Sequence, residues 1–570
     1  MWTDSYPSCS APDEKAGNGA GYAIRANARR IKHHNRTKGE DGSESTVKIP
    51  SPKSSHEVRS LIFAAVIVVC ISAQPAGAII TEDRVLVVYN SAFPEAVTLK
   101  DAYLAHHPAI PAANVFDLSN AAIPAADLTR AQFNTLIRDP IRAYLLLPGD
   151  PTPSGIVYIV LIRPIPHRIQ DTDIPTVGDM PGSAATDLTN GDADYASVDA
   201  ELVLLWQNLD AGEAGGTMDS LSDNMIDNPY HQTAAMIGSF SRANIQIAKT
   251  FMNRSNICWI PSGSGATLLT PGDMYLVSRI DGTTLLQATA ALDRAQNLRI
   301  NKALVRVLLD EFDVSTNQDF DDDKLFAFND PFFAGDDYEE TTAILTGAGW
   351  DVRYDGTFNF IDSTEETNPI IAYGSYGENH DAVAGLGENP PGSATYINGF
   401  NFPPGAIFNT FESDNARALN GLGSVFGLEQ VADFLAAGGT FAVGHVYEPF
   451  TFTIADNEFL FVNFLVNGLS WGEAAYSSIP ALSWQNVVFG DPLTVPVILD
   501  DPGLPLGDMN GDGQVNGLDI APFTDVVING PPNYYTAFPT LDPIARGDFT
   551  GDRQVTLSDV PQFLDALLTP

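Results

Sequence analysis

Near its carboxyl end the chain places oxygen-bearing side chains at fixed spacing. In Asp508-Met509-Asn510-Gly511-Asp512-Gly513-Gln514-Val515-Asn516-Gly517-Leu518-Asp519, positions 1, 3, 5 and 12 are Asp508, Asn510, Asp512 and Asp519. Gln514 offers its carbonyl at position 7, Asn516 acts directly or through water, and Gly513 makes the sharp turn at position 6. Ca²⁺ takes six to eight hard oxygens at about 2.3–2.6 Å, so this pattern predicts a calcium loop. A second copy offers Asp548, Thr550, Asp552, the Gln554 carbonyl and Asp559. There Thr550 replaces a carboxylate or amide, and Arg553 stands where Gly makes the turn, which predicts a weaker site. Each copy has Val at position 8 and Asp at position 12, which weighs against a merely solvated Asp/Gly-rich stretch.

The elements around these loops depart from an EF-hand. Position 12 is Asp rather than the longer Glu, and Asp500-Asp501-Pro502-Gly503-Leu504-Pro505-Leu506-Gly507 is too rich in Pro and Gly for an entering helix. Helices are predicted only after the loops, from Asp519 to Ile528 and from Leu557 to Leu568, with a short linker between the units. Two loop-plus-exit-helix units resemble a dockerin domain, covering about residues 505–570 of a carboxyl-terminal domain drawn at 501–570. That resemblance implies a small all-α, calcium-binding module that attaches to a cohesin-like or cell-surface protein and commonly accompanies polysaccharide-degrading enzymes. In dockerins partner choice is read at loop positions 10 and 11. Here these are Gly517-Leu518 and Leu557-Ser558 rather than a Ser/Thr pair, so the resemblance does not imply a cellulosome-type partner. A structural calcium module with no cohesin partner is the alternative.

Charge and targeting agree with life outside the cell. Of 570 residues 44% are hydrophobic, ample for a sizeable core in more than one unit. The net charge of −41 is uneven: residues 1–60 carry ten Lys/Arg against seven Asp/Glu, leaving twenty against sixty-four in the remainder. So acidic a body excludes nucleic acid and anionic membrane as partners, since both need clustered positive charge. The run Leu61 to Ile71 is short for a membrane span, and Ala76-Gly77-Ala78 offers a small-x-small cleavage site. The expectation is a polar, disordered extension over 1–60 produced by an over-extended start, a signal peptide over 61–78 and a bacterial protein secreted or held at the cell surface, free of the membrane after cleavage. An amino-terminal anchor with a cytoplasmic tail is the alternative. Cleavage would remove Cys9 and Cys70 and leave Cys258 alone, so no disulfide framework forms within the chain.

Between residues 79 and 500 apolar strand-like runs alternate with helical patterns, which predicts an α/β body on a parallel sheet. Strands are expected at Arg84–Asn90, Asn114–Leu118, Ile156–Ile162, Met274–Ile280, Ala303–Leu309, Trp350–Tyr354, Ile370–Tyr373, Ala406–Asn409, Thr440–Val443 and within Trp484–Pro492. A helical stretch from Ala131 to Leu147 should break at Pro140. Residues 171–273 read as a loop-rich insertion holding one helix, Val198 to Trp206.

Ligands of open parallel sheets bind beyond the carboxyl ends of the strands, so the tips Gly374–His380, Thr410–Asp414 and Gly444–Glu448 are expected to share one rim. A strand ending in Gly-x-x-Gly, a strand with a polar tip, Gly439-Thr440-Phe441-Ala442-Val443-Gly444 and a closing Phe489-Gly490-Asp491-Pro492 resemble the caspase-like sheet of gingipain-type cysteine peptidases. That family carries His on the first tip and Cys on the second. This chain has Tyr376 at one place and Glu412-Ser413 at the other, so the resemblance does not carry cysteine peptidase activity over. Over about 82–498 the chain resembles more closely a secreted bacterial family of unassigned activity from genomes that encode PEP-CTERM sorting proteins. This rests on Val85–Asn90, Ile110–Val115, Ala196–Leu202, Tyr275–Gly282 and Phe489–Pro492. If the body is an enzyme, it is an extracellular hydrolase of peptides or polysaccharides, with His380 as base, Ser413 as nucleophile and Asp414 as orienting acid. Asp199 and Glu201, two apart on a helix, cannot share a face as a glycosidase pair, and no His spacing fits a transition metal.

Overall fold

The computed structural model describes residues 82–124, 127–149, 151–170, 196–207, 226–237, 270–311, 338–357, 360–377, 397–412, 414–419, 430–447, 449 and 453–569. The extension over 1–60, the signal peptide over 61–78, Cys258 and most of the 171–273 insertion lie outside these residues. No helix among the described residues is long and apolar enough to cross a membrane.

Seventeen strands are described. In chain order the first nine are β1 (Val85–Tyr89), β2 (Val115–Asp117), β3 (Asp127–Thr129), β4 (Tyr158–Ile162), β5 (Arg168–Gln170), β6 (Ala196–Ser197), β7 (Ile226–Asp227), β8 (Leu276–Ile280) and β9 (Arg299–Asn301). Next come β10 (Arg306–Asp310), β11 (Asp351–Asp355), β12 (Ile370–Ser375), β13 (Ile407–Thr410), β14 (Phe441–His445), β15 (Ala481–Leu482), β16 (Asn486–Phe489) and β17 (Val497–Leu499). Ten of them form one sheet in the order β11-β10-β12-β13-β14-β16-β8-β4-β1-β2. The five strands from β11 to β14 pair in parallel, as do the four from β8 to β2. Between the two groups β16 runs antiparallel to β14 and meets β8 at one position, Phe489 opposite Arg279. The body is therefore α/β on a mixed, mostly parallel sheet, where the sequence predicts a parallel one. An apolar run looks the same in either direction, so Val487-Val488-Phe489 carried no sign of its orientation.

The central strands are buried on both faces, which is why β1, β4 and β12 read as unbroken apolar runs. On one face the helices Pro94–His106, Leu285–Ala295 and Gln430–Ala436 pack side by side. On the other, Tyr338–Gly347, Glu458–Val462, Asn463–Leu465 and Trp471–Ser478 form a second group. Each fully buried Val, Leu, Ile or Phe contributes about 1.5–3 kcal/mol, so these layers supply the stability against which polar burial at the strand ends is tolerated.

Two local expectations are corrected. The chain does not break at Pro140: Arg130–Phe133, a π-helical turn Asn134–Arg138 and Asp139–Leu145 run on continuously. The wider turn, which ends just before Pro140 enters the next helix, shifts the hydrogen-bond register so that the missing N–H is not called on. The linker between the two twelve-residue loops is also not a plain connection, because Pro531–Ala537 and Pro543–Gly547 are helices with Pro in the first turn, where it needs no donor.

Candidate functional site

The two loops have the same backbone cage, forty residues apart. In the first, Asp508 Oδ1 accepts the N–H of Gly511 at 2.8 Å and of Asp512 at 3.1 Å, and Oδ2 accepts that of Gly513 at 2.8 Å. Asp519 Oδ1 accepts Asn510 N–H at 3.0 Å and Oδ2 accepts Asn516 N–H at 2.8 Å. In the second, Asp548 accepts Gly551, Asp552 and Arg553 N–H at 2.7, 3.2 and 2.7 Å, while Asp559 accepts Phe549, Thr550 and Thr556 N–H at 2.9, 2.9 and 2.8 Å. The short Asp side chain reaches its own backbone a few residues on, which is what folds each loop around its carboxylates. The turn takes left-handed backbone at Gly511 and Gly513, φ +73° and +86°, and at Gly551 and Arg553, φ +75° and +64°.

Asp548, Asp552 and Asp559 each bring one carboxylate oxygen to within 4.8 Å of the others. Two oxygens bound to one Ca²⁺ at about 2.3–2.6 Å stand no more than about 5 Å apart, so the donor set and its spacing fit that ion. The Thr550 hydroxyl sits between two of these groups, 3.3 Å from Asp548 Oδ1 and 3.0 Å from Asp559 Oδ1. Burial raises the Asp559 carboxyl, but the N–H groups of Thr556, Thr550 and Phe549 and the Thr550 hydroxyl outweigh it and hold the group below its ordinary value. Residue types favour the first loop, yet its carboxylates do not form such a group among the described residues. Asn510 Nδ2 instead donates to Asp512 Oδ2 at 3.2 Å. Gln514 and Gln554 hold their turns by N–H bonds to Asp512 and Asp552, and Asn516 accepts Leu518 N–H at 2.8 Å.

A helix leaves each loop directly after position 12, Ile520–Asn529 and Val560–Leu568. Phe523 and Phe563 stack at 3.9 Å across the repeat axis, over Met509, Val526, Tyr534 and Val555. Leu518, Ile528, Leu557 and Leu568 face solvent, 67–80% exposed, so each unit keeps apolar side chains on its outer face.

The second region is the sheet rim. The tips after β12, β13 and β14 do meet: Phe411 N–H bonds Ser375 O, Asp414 N–H bonds Tyr447 O, and a Cβ on Gly377 would lie 2.2 Å from Glu412 Cγ. Residues after β4 reach the same rim, where His167 Nε2 contacts Arg417 O at 2.9 Å and the Tyr447 hydroxyl donates to Ile169 O. His380 and Ser413 lie outside the described residues. Asp414 accepts from Arg417 at 3.2 Å. Tyr376 and Glu412 are buried, and Glu412 accepts the Thr410 hydroxyl at 3.1 Å.

Sequence reasoning passed over Asp310 and put His445 on the rim without giving it a role. Asp310 ends β10 with Oδ2 accepting Ile361 N–H at 2.9 Å and Oδ1 without a hydrogen-bond partner among the described residues, and burial holds the carboxyl well above the usual range. His445, fully buried, gives Nδ1–H to Glu412 O at 3.3 Å, leaves Nε2 unpartnered among the described residues and is pushed by burial down to about 4. The signal for Asp310 was available: a charged Asp-Glu pair directly succeeds the apolar run Val307-Leu308-Leu309.

Asp199 and Glu201 both prove to be buried ion-pair partners. Asp199 takes Arg279 bidentately at 3.0 and 2.6 Å, and Glu201 takes Arg130 at 2.6 Å, so neither stands ready as an acid or base. No family model matches the chain, and no curated protein or solved structure matches it.

Proposed function

We propose that this is a secreted, calcium-binding protein whose carboxyl-terminal, dockerin-like all-α module mediates calcium-dependent attachment to another surface protein. The observation that carries the reading is the repeated cage: two loops with the same Asp-to-N–H bonding, one with three carboxylates gathered within 4.8 Å. Asp508, Asn510, Asp512, Asp519 and the Gln514 carbonyl, with Asn516 alongside, would hold one ion. Asp548, Thr550, Asp552, Asp559 and the Gln554 carbonyl would hold the other. The exposed apolar residues at positions 10 and 11, Leu518 and Leu557, suit a partner surface that is itself apolar. Calcium titrated into the full chain should give two binding heats, one lost in Asp508→Ala and the other in Asp548→Ala. Absence of heat in the unaltered chain would sink the reading.

The body reads as caspase-like without that family's His and thiol, since Tyr376 and Glu412 occupy the two positions. A hydrolase of peptides or polysaccharides is the second reading, favoured by the buried polar atoms of Asp310 and His445 that lack partners among the described residues at the rim. Turnover of a peptide or glycan panel that survives in His380→Ala and Ser413→Ala would separate this rim from the pair predicted from sequence.

A further inference from the structure

Strand β9 of the body pairs in parallel with β17, the strand that leads toward the loops, and its last residue then grips the segments beyond β17. Asn301 Nδ2 donates to Asp501 O at 2.7 Å and to Asp542 Oδ2 at 2.8 Å. The Asp501 carboxylate holds Arg546 bidentately, Nε to Oδ2 at 2.7 Å and Nη2 to Oδ1 at 2.8 Å, and accepts the N–H groups of Asp542 and Gly503. Arg546 Nη1 then donates to the backbone carbonyl of Asp508, the first residue of the first loop, at 2.7 Å. Asn301, Asp501, Asp508, Asp542 and Arg546 are all buried. Gly503, at φ +67°, passes so close to Ala545 that a Cβ would lie 1.9 Å from its carbonyl oxygen.

Further contacts tie the same face down. Arg299 donates to Pro539 O at 3.1 Å with its guanidinium 3.9 Å from the Tyr535 ring centre, and Arg553, at the turn of the second loop, donates to Asn401 Oδ1 at 3.0 Å. A tethered module would not bury a charged network against its neighbour, because a desolvated ion pair is tolerated only where every partner is supplied. Here the partners come from body, linker and module together.

We propose that Asn301, Asp501 and Arg546 form a latch which fixes the loops on the body, and that docking and calcium binding at Asp508 are coupled. The latch rests on the calcium reading of the loops. Arg546 is held mainly by Asp501, and its Nη1 also stands 3.4 Å from Asp508 Oδ2, so it touches the ligand at both carbonyl and carboxylate: it fixes that residue from behind and spares the ion the cost of ordering it. Coupling is reciprocal, so calcium tightens docking by the factor by which docking tightens calcium.

The test uses the full chain, with calcium as probe. Asn301→Ala leaves every loop residue in place and should weaken one calcium site by about five- to tenfold. Removing calcium from the unaltered chain with a chelator should speed amide exchange at Arg299–Asn301 and Val497–Leu499. If Asn301→Ala does not fold, Arg299→Ala, on the rim of the contact, should still weaken binding about twofold. Unchanged affinity in the variant that folds, with exchange at β9 and β17 indifferent to chelator, would overturn the latch and leave the calcium reading standing. No calcium heat in the unaltered chain would overturn both.

Discussion

In the loops around Asp508 and Asp548 every hydrogen-bonded carboxylate oxygen is met by N–H groups within eleven residues, whereas at the sheet rim Asp310 and His445 bury a polar atom with no partner among the described residues. The loops solvate their carboxylates with their own backbone N–H groups, and in the second loop three carboxylates gather together, with Asp559 held below its ordinary value. At the rim, burial strips solvent from Asp310 and His445 and a single hydrogen bond to each replaces it only in part, so both are pushed toward their neutral forms. The second loop favours charge and the rim suppresses it.

The largest expected difference is in acid. His445 is held near 4 in the fold against about 6.5 when unfolded, so below pH 6.5 the unfolded chain takes a proton that the fold refuses. At about 1.4 kcal/mol per unit, stability should fall by about 3 kcal/mol between pH 6.5 and 4, and His167, pushed down by burial and by Arg279 and Arg168, adds in the same sense. Asp559 is held below its ordinary value, so its contribution is present above the unfolded carboxylate pKa and is lost only at lower pH, as the folded group titrates. His445 and Asp559 therefore act in separate windows. His107 works against the trend: burial lowers it, but Asp491 and Glu82, bonded at 2.8 and 3.2 Å, raise it overall, so it stabilises below pH 6.5 and ceases to as pH rises through its folded value. Urea melts of His445→Gln should show the acid loss reduced by about 3 kcal/mol. An unaltered slope would show that His445 is not buried as a neutral base.

The same contrast explains what could be read in advance. The loops are local, twelve residues in which each ligand position and each turn residue stands a fixed distance from the next, and the strands of the sheet are apolar runs of the kind that parallel pairing buries. At the rim the tips after β12, β13 and β14, His445 among them, were expected to meet, whereas Asp310 carried no sign of sharing their site, because only the strand order β10-β12-β13-β14 brings its end to that edge. Asn301 and Arg546 are 245 residues apart in the chain, so the latch was invisible although every residue in it was in view. The helix Trp471–Ser478 was missed for another reason. It is buried all round, so it shows no polar face, and only its capping box, Ser470 with Glu473, marked its start.

A second contrast uses one substitution in both regions. Asp310→Asn keeps an oxygen for Ile361 N–H and removes a carboxyl whose ionisation is penalised by burial in the fold but not in the unfolded chain, so at pH 7 it should raise stability. The gain should vanish below about pH 4, where the unfolded Asp is itself protonated. Asp508→Asn should lower stability by about 1–3 kcal/mol, because an amide NH₂ would then point at an N–H of Gly511, Asp512 or Gly513. Thermal melts of both variants at pH 7 and pH 4 decide the matter, and two effects of the same sign would remove the distinction between the regions.

The smallest expected effect lies inside the loops, where local rules should account for all of it. Gly513 has φ +86° and open space where a Cβ would go, so Gly513→Ala should cost the backbone term alone, about 1 kcal/mol. Arg553 holds the same place in the second loop at φ +64°, and so already bears that strain. Arg553→Gly relieves it but frees the unfolded chain and gives up the bond to Asn401, so stability should move by less than about 1 kcal/mol. Calcium affinity at the second loop should nevertheless rise, since the substitution removes a cation whose own N–H is bonded to Asp548. Arg553→Ala keeps the strained backbone and removes only the charge. Equal gains in affinity for the Ala and Gly variants would assign the weakness of that loop to charge, whereas a gain confined to Gly would assign it to the turn.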